Sequence, residues 1–131
     1  MTRVVDASTV VAALVDGGPD GRWAESKLSG EPLAAPHLMP VEVANILCRN
    51  AAAGLITADA ASLAHEDLIA LRVELFPYAP LADRVWSLRE NVTAYDAWYV
   101  ALAESLDAEL VTLDRRLRAA PGATCSIVCP P

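Results

Sequence analysis

A chain of 131 residues with net charge −7 has room for one domain, spanning residues 1–131, and not for two full cores. At 54% hydrophobic and 21% charged residues it is too apolar to be disordered, and its acidity argues against a partner held by general attraction, whether a phosphate backbone or an anionic membrane. Cys48, Cys125 and Cys129 contain no C-x-x-C pair, and His37 and His65 stand in no zinc-ligand spacing with them. Neither a disulfide framework nor a structural zinc is expected. No signal peptide or membrane span can be read, so the expectation is a cytoplasmic protein.

The chain opens with a β-branched run, Arg3-Val4-Val5, ending at Asp6. A helical pattern follows from Ser8 to Val15, with Val10, Val11 and Leu14 on one stripe, and Gly17-Gly18-Pro19 ends it. Arg22–Leu28 reads as a second helix and Leu33–Pro36 as a brief buried strand. Pro40 suits the first turn of a helix reaching about Ala53, closed by Gly54. Thr57 is placed to cap a helix from Ala58 to about Leu71.

Val73–Phe76 alternates like a strand, and Pro77 and Pro80 end it. Leu81–Arg89 reads as helix, as does Ala94 to Leu106 behind Thr93. Glu109–Leu113 reads as a strand ending at Asp114, Arg115–Arg118 as a basic turn, and Ser126–Val128 as a last strand. Short apolar strands alternating with helices, with no hairpin signal, predict an α/β sandwich around a mainly parallel sheet.

Asp6, Glu42, Asp96 and Asp114 occupy similar places, at a strand end or in the first turn of a helix. Each has a structural explanation. Asp6 and Asp114 can cap the helices that follow, Glu42 can complement a helix dipole, and Asp96 stands at capping-box spacing from Thr93. Their neighbours are apolar, however, and a carboxylate facing an apolar interior is costly unless something positive compensates it. In open α/β sheets, ligands gather at the carboxyl ends of the strands, where these four residues would meet. Clustered carboxylates repel one another, and a divalent cation reverses that. An oxygen-only donor set favours Mg²⁺, or Mn²⁺, over zinc.

Four stretches in register resemble the PIN-domain ribonucleases. They are Val4-Val5-Asp6-Ala7-Ser8, then Pro40-Val41-Glu42-Val43-Ala44-Asn45, then Thr93-Ala94-Tyr95-Asp96 running to Glu104, and finally Leu110-Val111-Thr112-Leu113-Asp114-Arg115-Arg116-Leu117. The likeness is greatest to the VapC toxins of bacterial toxin–antitoxin pairs and covers essentially the whole chain. Between Ile56 and Arg89 it rests on length and helical pattern alone.

The resemblance implies a three-layer α/β/α fold and a Mg²⁺-dependent endoribonuclease, paired as a homodimer and inhibited by a cognate antitoxin. Asp6 and Asp96 would be the principal metal ligands, and Glu42 and Asp114 the remaining acids. The chemistry implied is metal-assisted hydrolysis of an RNA phosphodiester. Ser8 and Thr112 are candidates to hydrogen-bond a ligating carboxylate, and Arg115, with Arg116 and Arg118, to hold the RNA backbone. Two other readings stay open on the residues alone. One is a Mg²⁺-dependent phosphatase or phospho-acceptor domain using Asp6, although Asp6-Ala7-Ser8 lacks the second acid of a D-x-D signature. The other is a non-enzymatic binding protein whose acids only cap helices.

Overall fold

The computed structural model describes all 131 residues. Five short strands form one sheet in the order β3-β2-β1-β4-β5, with every neighbouring pair parallel. They are β1 (Arg3–Val5), β2 (Leu33–Pro36), β3 (Glu74–Phe76), β4 (Glu109–Val111) and β5 (Ile127–Val128). The central strands are covered on both faces, which is why they read as continuous apolar runs rather than alternating ones. Val4, Val5, Leu110 and Val111 are fully buried, and all of β2 is buried.

Helices α1 (Ala7–Val15), α2 (Pro19–Leu28), α3 (Met39–Ala52) and α4 (Ala58–Ala70) lie in the two crossovers that carry the chain from β1 to β2 to β3. The chain then returns past the sheet through α5 (Ala82–Ser87) and α6 (Ala94–Ser105) to β4, and α7 (Arg115–Arg118) precedes β5. Right-handed crossovers running in opposite directions place their helices on opposite faces, giving the α/β/α sandwich. Because the strand order reverses between β1 and β4, the crevice beyond their carboxyl ends is the switch point of the sheet. At the opposite end Arg3 donates from Nε to Glu109 at 3.0 Å and from Nη1 to the carbonyls of Lys27 and Ser29. That knot fixes the strand starts and leaves the carboxyl ends open.

Several boundaries differ from the sequence expectation. Pro19 does not merely stop α1; it is the first residue of α2, which starts three residues earlier than Arg22. Its fixed φ suits a helix start, and Asp20 complements the dipole. Gly21 permits the tight turn between α1 and α2, since a Cβ there would lie 1.7 Å from the Asp16 carbonyl oxygen. The expected Leu81–Arg89 helix is shorter: a 3₁₀ turn at Ala79–Leu81 leads into α5, which ends at Ser87. Strand β4 stops at Val111 rather than Leu113, and Arg115–Arg118 forms a helical turn capped by Asp114. No helix is long and apolar enough to cross a membrane.

Candidate active site

Asp6 leaves β1 directly into α1, and its position is set by both. Its carboxylate caps α1, accepting the Thr9 N–H at Oδ1 (3.0 Å), while its own N–H donates to the Val111 carbonyl of β4. The capping explanation therefore holds for Asp6, and equally for Asp114, which accepts the Arg116 N–H at 3.0 Å at the start of α7. Capping does not exhaust Asp6. Although only 8% exposed, it also accepts the Ser8 hydroxyl at Oδ1 (2.7 Å) and the Thr112 hydroxyl at Oδ2.

Those two hydroxyls are directional. Ser8 Oγ accepts the Leu113 N–H and Thr112 Oγ1 accepts the Asp114 N–H, so each is free to give its own proton to Asp6. The start of α1 is thereby tied to the end of β4, and the Asp6 carboxylate is held at both oxygens. Sequence reasoning missed a third member. Thr9 is fully buried, with its hydroxyl 3.1 Å from Asp6 Oδ1 and 3.0 Å from the Val111 carbonyl oxygen. The available signal was a second hydroxyl, next to Ser8, on a helix whose remaining residues are all apolar, three residues after the capping acid.

Glu42 stands in the first turn of α3 and accepts a 2.7 Å hydrogen bond from the Tyr99 hydroxyl. Tyr99 on α6 is buried in the core, but its hydroxyl faces this site. Asp96 lies in the first turn of α6, its N–H bonded to the capping hydroxyl of Thr93. It lines an open cleft of about 560 Å³ together with Thr93, Asp114 and Arg116.

These acids act on one another as charges. Burial raises the carboxyl of Asp6 above its ordinary value, against the hydroxyls of Thr112 and Ser8, which pull it down. Glu42 is raised by burial and then by Asp6 and Asp96, against the Tyr99 hydroxyl. Asp96 is raised by burial and by Asp6 and Asp114. Asp114 differs: Arg116 holds it below its ordinary value through Nε to Oδ1 and Nη2 to Oδ2, both at 3.2 Å. Of the four ion pairs in the protein, that is the only one to include any of these acids.

The donor chemistry suits a hard cation, since Asp6, Glu42 and Asp96 offer oxygen only and have no basic side chain paired to them. As placed, however, no three acids, histidines or cysteines converge as a ready-made metal cage. A preformed three-ligand cage is what zinc sites favour; Mg²⁺ is usually held by one or two carboxylates and keeps several waters. Arg115, expected to hold RNA, instead reaches away and donates to the carbonyls of Pro130 and Pro131. Arg116 is the arginine of α7 that faces the cleft.

An all-parallel α/β sandwich with carboxylates gathered at its switch point is a fold class that sites its chemistry beyond the strand ends. The chain belongs to the PIN-domain family, whose model matches residues 3–123. It is 42% identical to ribonuclease VapC1 of Mycobacterium tuberculosis over 125 residues, covering 95% of this chain and 94% of that one. Among solved structures it resembles PAE2754 from Pyrobaculum aerophilum, with a TM-score of 0.73 and 29% identity over 97% of this chain and 83% of that one. It also shares the fold of a toxin–antitoxin complex from Klebsiella pneumoniae, with a TM-score of 0.68 and 19% identity over 98% of both chains.

Proposed function

We propose that this protein is a Mg²⁺-dependent endoribonuclease and the toxin of a type II toxin–antitoxin pair, working in the cytoplasm. The observation that carries the reading is the group Asp6, Glu42 and Asp96: Asp6 raises the proton affinity of both other carboxyls, Asp96 raises that of Glu42, and none of the three is in an ion pair. Resting proteins seldom gather such charge without use for it. The relationship to ribonuclease VapC1 supports RNA as the substrate.

Asp6 and Asp96 would hold the ion, with Glu42 and Asp114 completing the acidic set. A bound divalent cation supplies neutralisation of the phosphodiester charge and a water of lowered pKa. The chain does the rest. Ser8, Thr9 and Thr112 fix the Asp6 carboxylate so that its orientation does not depend on the ion. Tyr99 fixes Glu42 in the same way, leaving Glu42 Oε2 free to take a proton from, or orient, attacking water. Arg116 supplies a positive charge for a phosphate oxygen.

A phosphatase using Asp6 as nucleophile fits less well, because Ser8 stands where a D-x-D signature places its second acid. An antitoxin partner is supported by the shared fold with a toxin–antitoxin complex. A groove of about 680 Å³ between α3 and α4, lined by Ala44, Leu47, Cys48 and Ala61, offers the apolar seat such a partner needs. Digestion of total cellular RNA by the purified protein, with and without Mg²⁺ and with Asp96→Asn as control, tests the activity. New RNA ends are expected only with Mg²⁺ and the unaltered chain; equal cleavage under full chelation would overturn the metal step. The same preparation run in a sedimentation experiment tests the homodimer expectation.

A further inference from the structure

Trp86 is 66% exposed on α5, an indole left facing water. The guanidinium of Arg89 lies over it, 4.7 Å from the ring centroid, and donates from Nη1 to the Trp86 carbonyl at 2.8 Å. Arg89 takes part in none of the four ion pairs, so its charge has no carboxylate partner. Arg89 also lines the cleft that holds Asp96, Asp114 and Arg116, with Asn91 and Thr93 continuing that rim toward α6. A flat apolar ring, an unpaired cation and a polar cleft leading to the acids are thus continuous. Glu90 on the same rim is the one opposing charge outside the acidic site.

That combination fits single-stranded RNA. An unpaired base can cover the indole by stacking, while a guanidinium beside it meets a backbone phosphate. A duplex keeps its bases stacked on one another and offers no such face. We infer that Trp86 and Arg89 form a nucleotide subsite, with Trp86 stacking an unpaired base and Arg89 holding the adjoining phosphate of the strand cut at the acids. The inference rests on the ribonuclease reading and adds how the strand is gripped beyond the cleavage point.

The test is equilibrium binding of a fluorescently labelled single-stranded RNA octamer to the full chain in chelator, where no cleavage competes. A matched oligomer with abasic positions separates stacking from phosphate contact. Trp86→Ala is expected to bind the octamer about tenfold more weakly, the loss of one base–aromatic stack, and to lose the preference over the abasic strand. Trp86→Phe should retain most of both. Arg89→Ala should weaken both strands alike and lower the salt slope by about 0.7, one single-strand phosphate contact. Unchanged affinity in Trp86→Ala, or a change in its sedimentation without one in binding, would overturn the subsite and mark the face as a protein contact. Failure of the subsite with RNA cleavage intact leaves the ribonuclease reading standing. Failure of the unaltered chain to cut any RNA overturns that reading instead.

Discussion

Thr112 and Asp6 lie 106 residues apart in the chain, yet the fully buried Thr112 hydroxyl gives its proton to Oδ2 of Asp6 while accepting the N–H of Asp114. One hydroxyl therefore sets the orientation of the acid after β1 and the path of the chain toward the acid after β4. Thr112→Val keeps the shape, removes the donor and leaves the Asp114 N–H without a partner. It should cost about 1–3 kcal/mol of stability in urea denaturation and greatly reduce RNA cleavage, whereas Thr112→Ser should keep most of both. Full activity in the valine variant would show that Asp6 is oriented without Thr112.

Asp96 sits among like charges, raised by both Asp6 and Asp114. Removing its charge relieves repulsion in the metal-free protein. Asp96→Asn should therefore melt higher than the unaltered chain in chelator and lose cleavage. Added Mg²⁺ should raise the melting temperature of the unaltered chain by mass action and that of the variant much less. Equal Mg²⁺ shifts in both would place the ion elsewhere.

Much of this was legible in the sequence for a local reason. Strand ends and helix starts carry their own signals, and Asp6, Thr57, Thr93 and Asp114 all cap the helices that follow them. The parallel sheet followed from short apolar strands such as Val4-Val5 and Leu110-Val111 alternating with helices, with no hairpin signal between them. What escaped was contact between residues far apart in the chain. An aromatic on an apolar helix such as α6 does not disclose that the Tyr99 hydroxyl meets Glu42, 57 residues away. Likewise a basic triplet does not disclose that Arg115 turns to the C-terminal carbonyls while Arg116 turns to Asp114.

Far from the acids, Glu104 on α6 gathers Arg84 of α5 at 2.7 and 2.9 Å and the N–H and hydroxyl of Thr124, locking the C-terminal segment to two helices. The Arg84 guanidinium holds this carboxyl down at about 2, from an ordinary value of 4.5. A depressed carboxyl stabilises the fold above its unfolded value, and the contribution is lost as pH falls from 4.5 toward about 2. Glu104→Gln should lower stability at neutral pH by about 1.5–3 kcal/mol, the range for hydrogen bonds to a charged group. It should also flatten the acid limb of the stability profile. An acid limb identical in both proteins would assign the loss to other groups.

If the acids hold a divalent cation as proposed, Arg116 would compete with it for Asp114. In the free protein both Asp114 oxygens are engaged by the Arg116 side chain, which is itself almost fully exposed. An exposed pair of this kind adds little to stability, so Arg116→Ala should unfold at nearly the same urea concentration as the unaltered chain. Freed of its partner, Asp114 becomes available to an ion. Mg²⁺ titration followed by melting temperature should then reach half-effect at a lower concentration in the variant. RNA binding should weaken, because the positive charge for phosphate is gone. A titration midpoint that stays put or moves to higher Mg²⁺ would mean that Asp114 does not contribute to holding the ion and that its bond to Arg116 serves only to start α7.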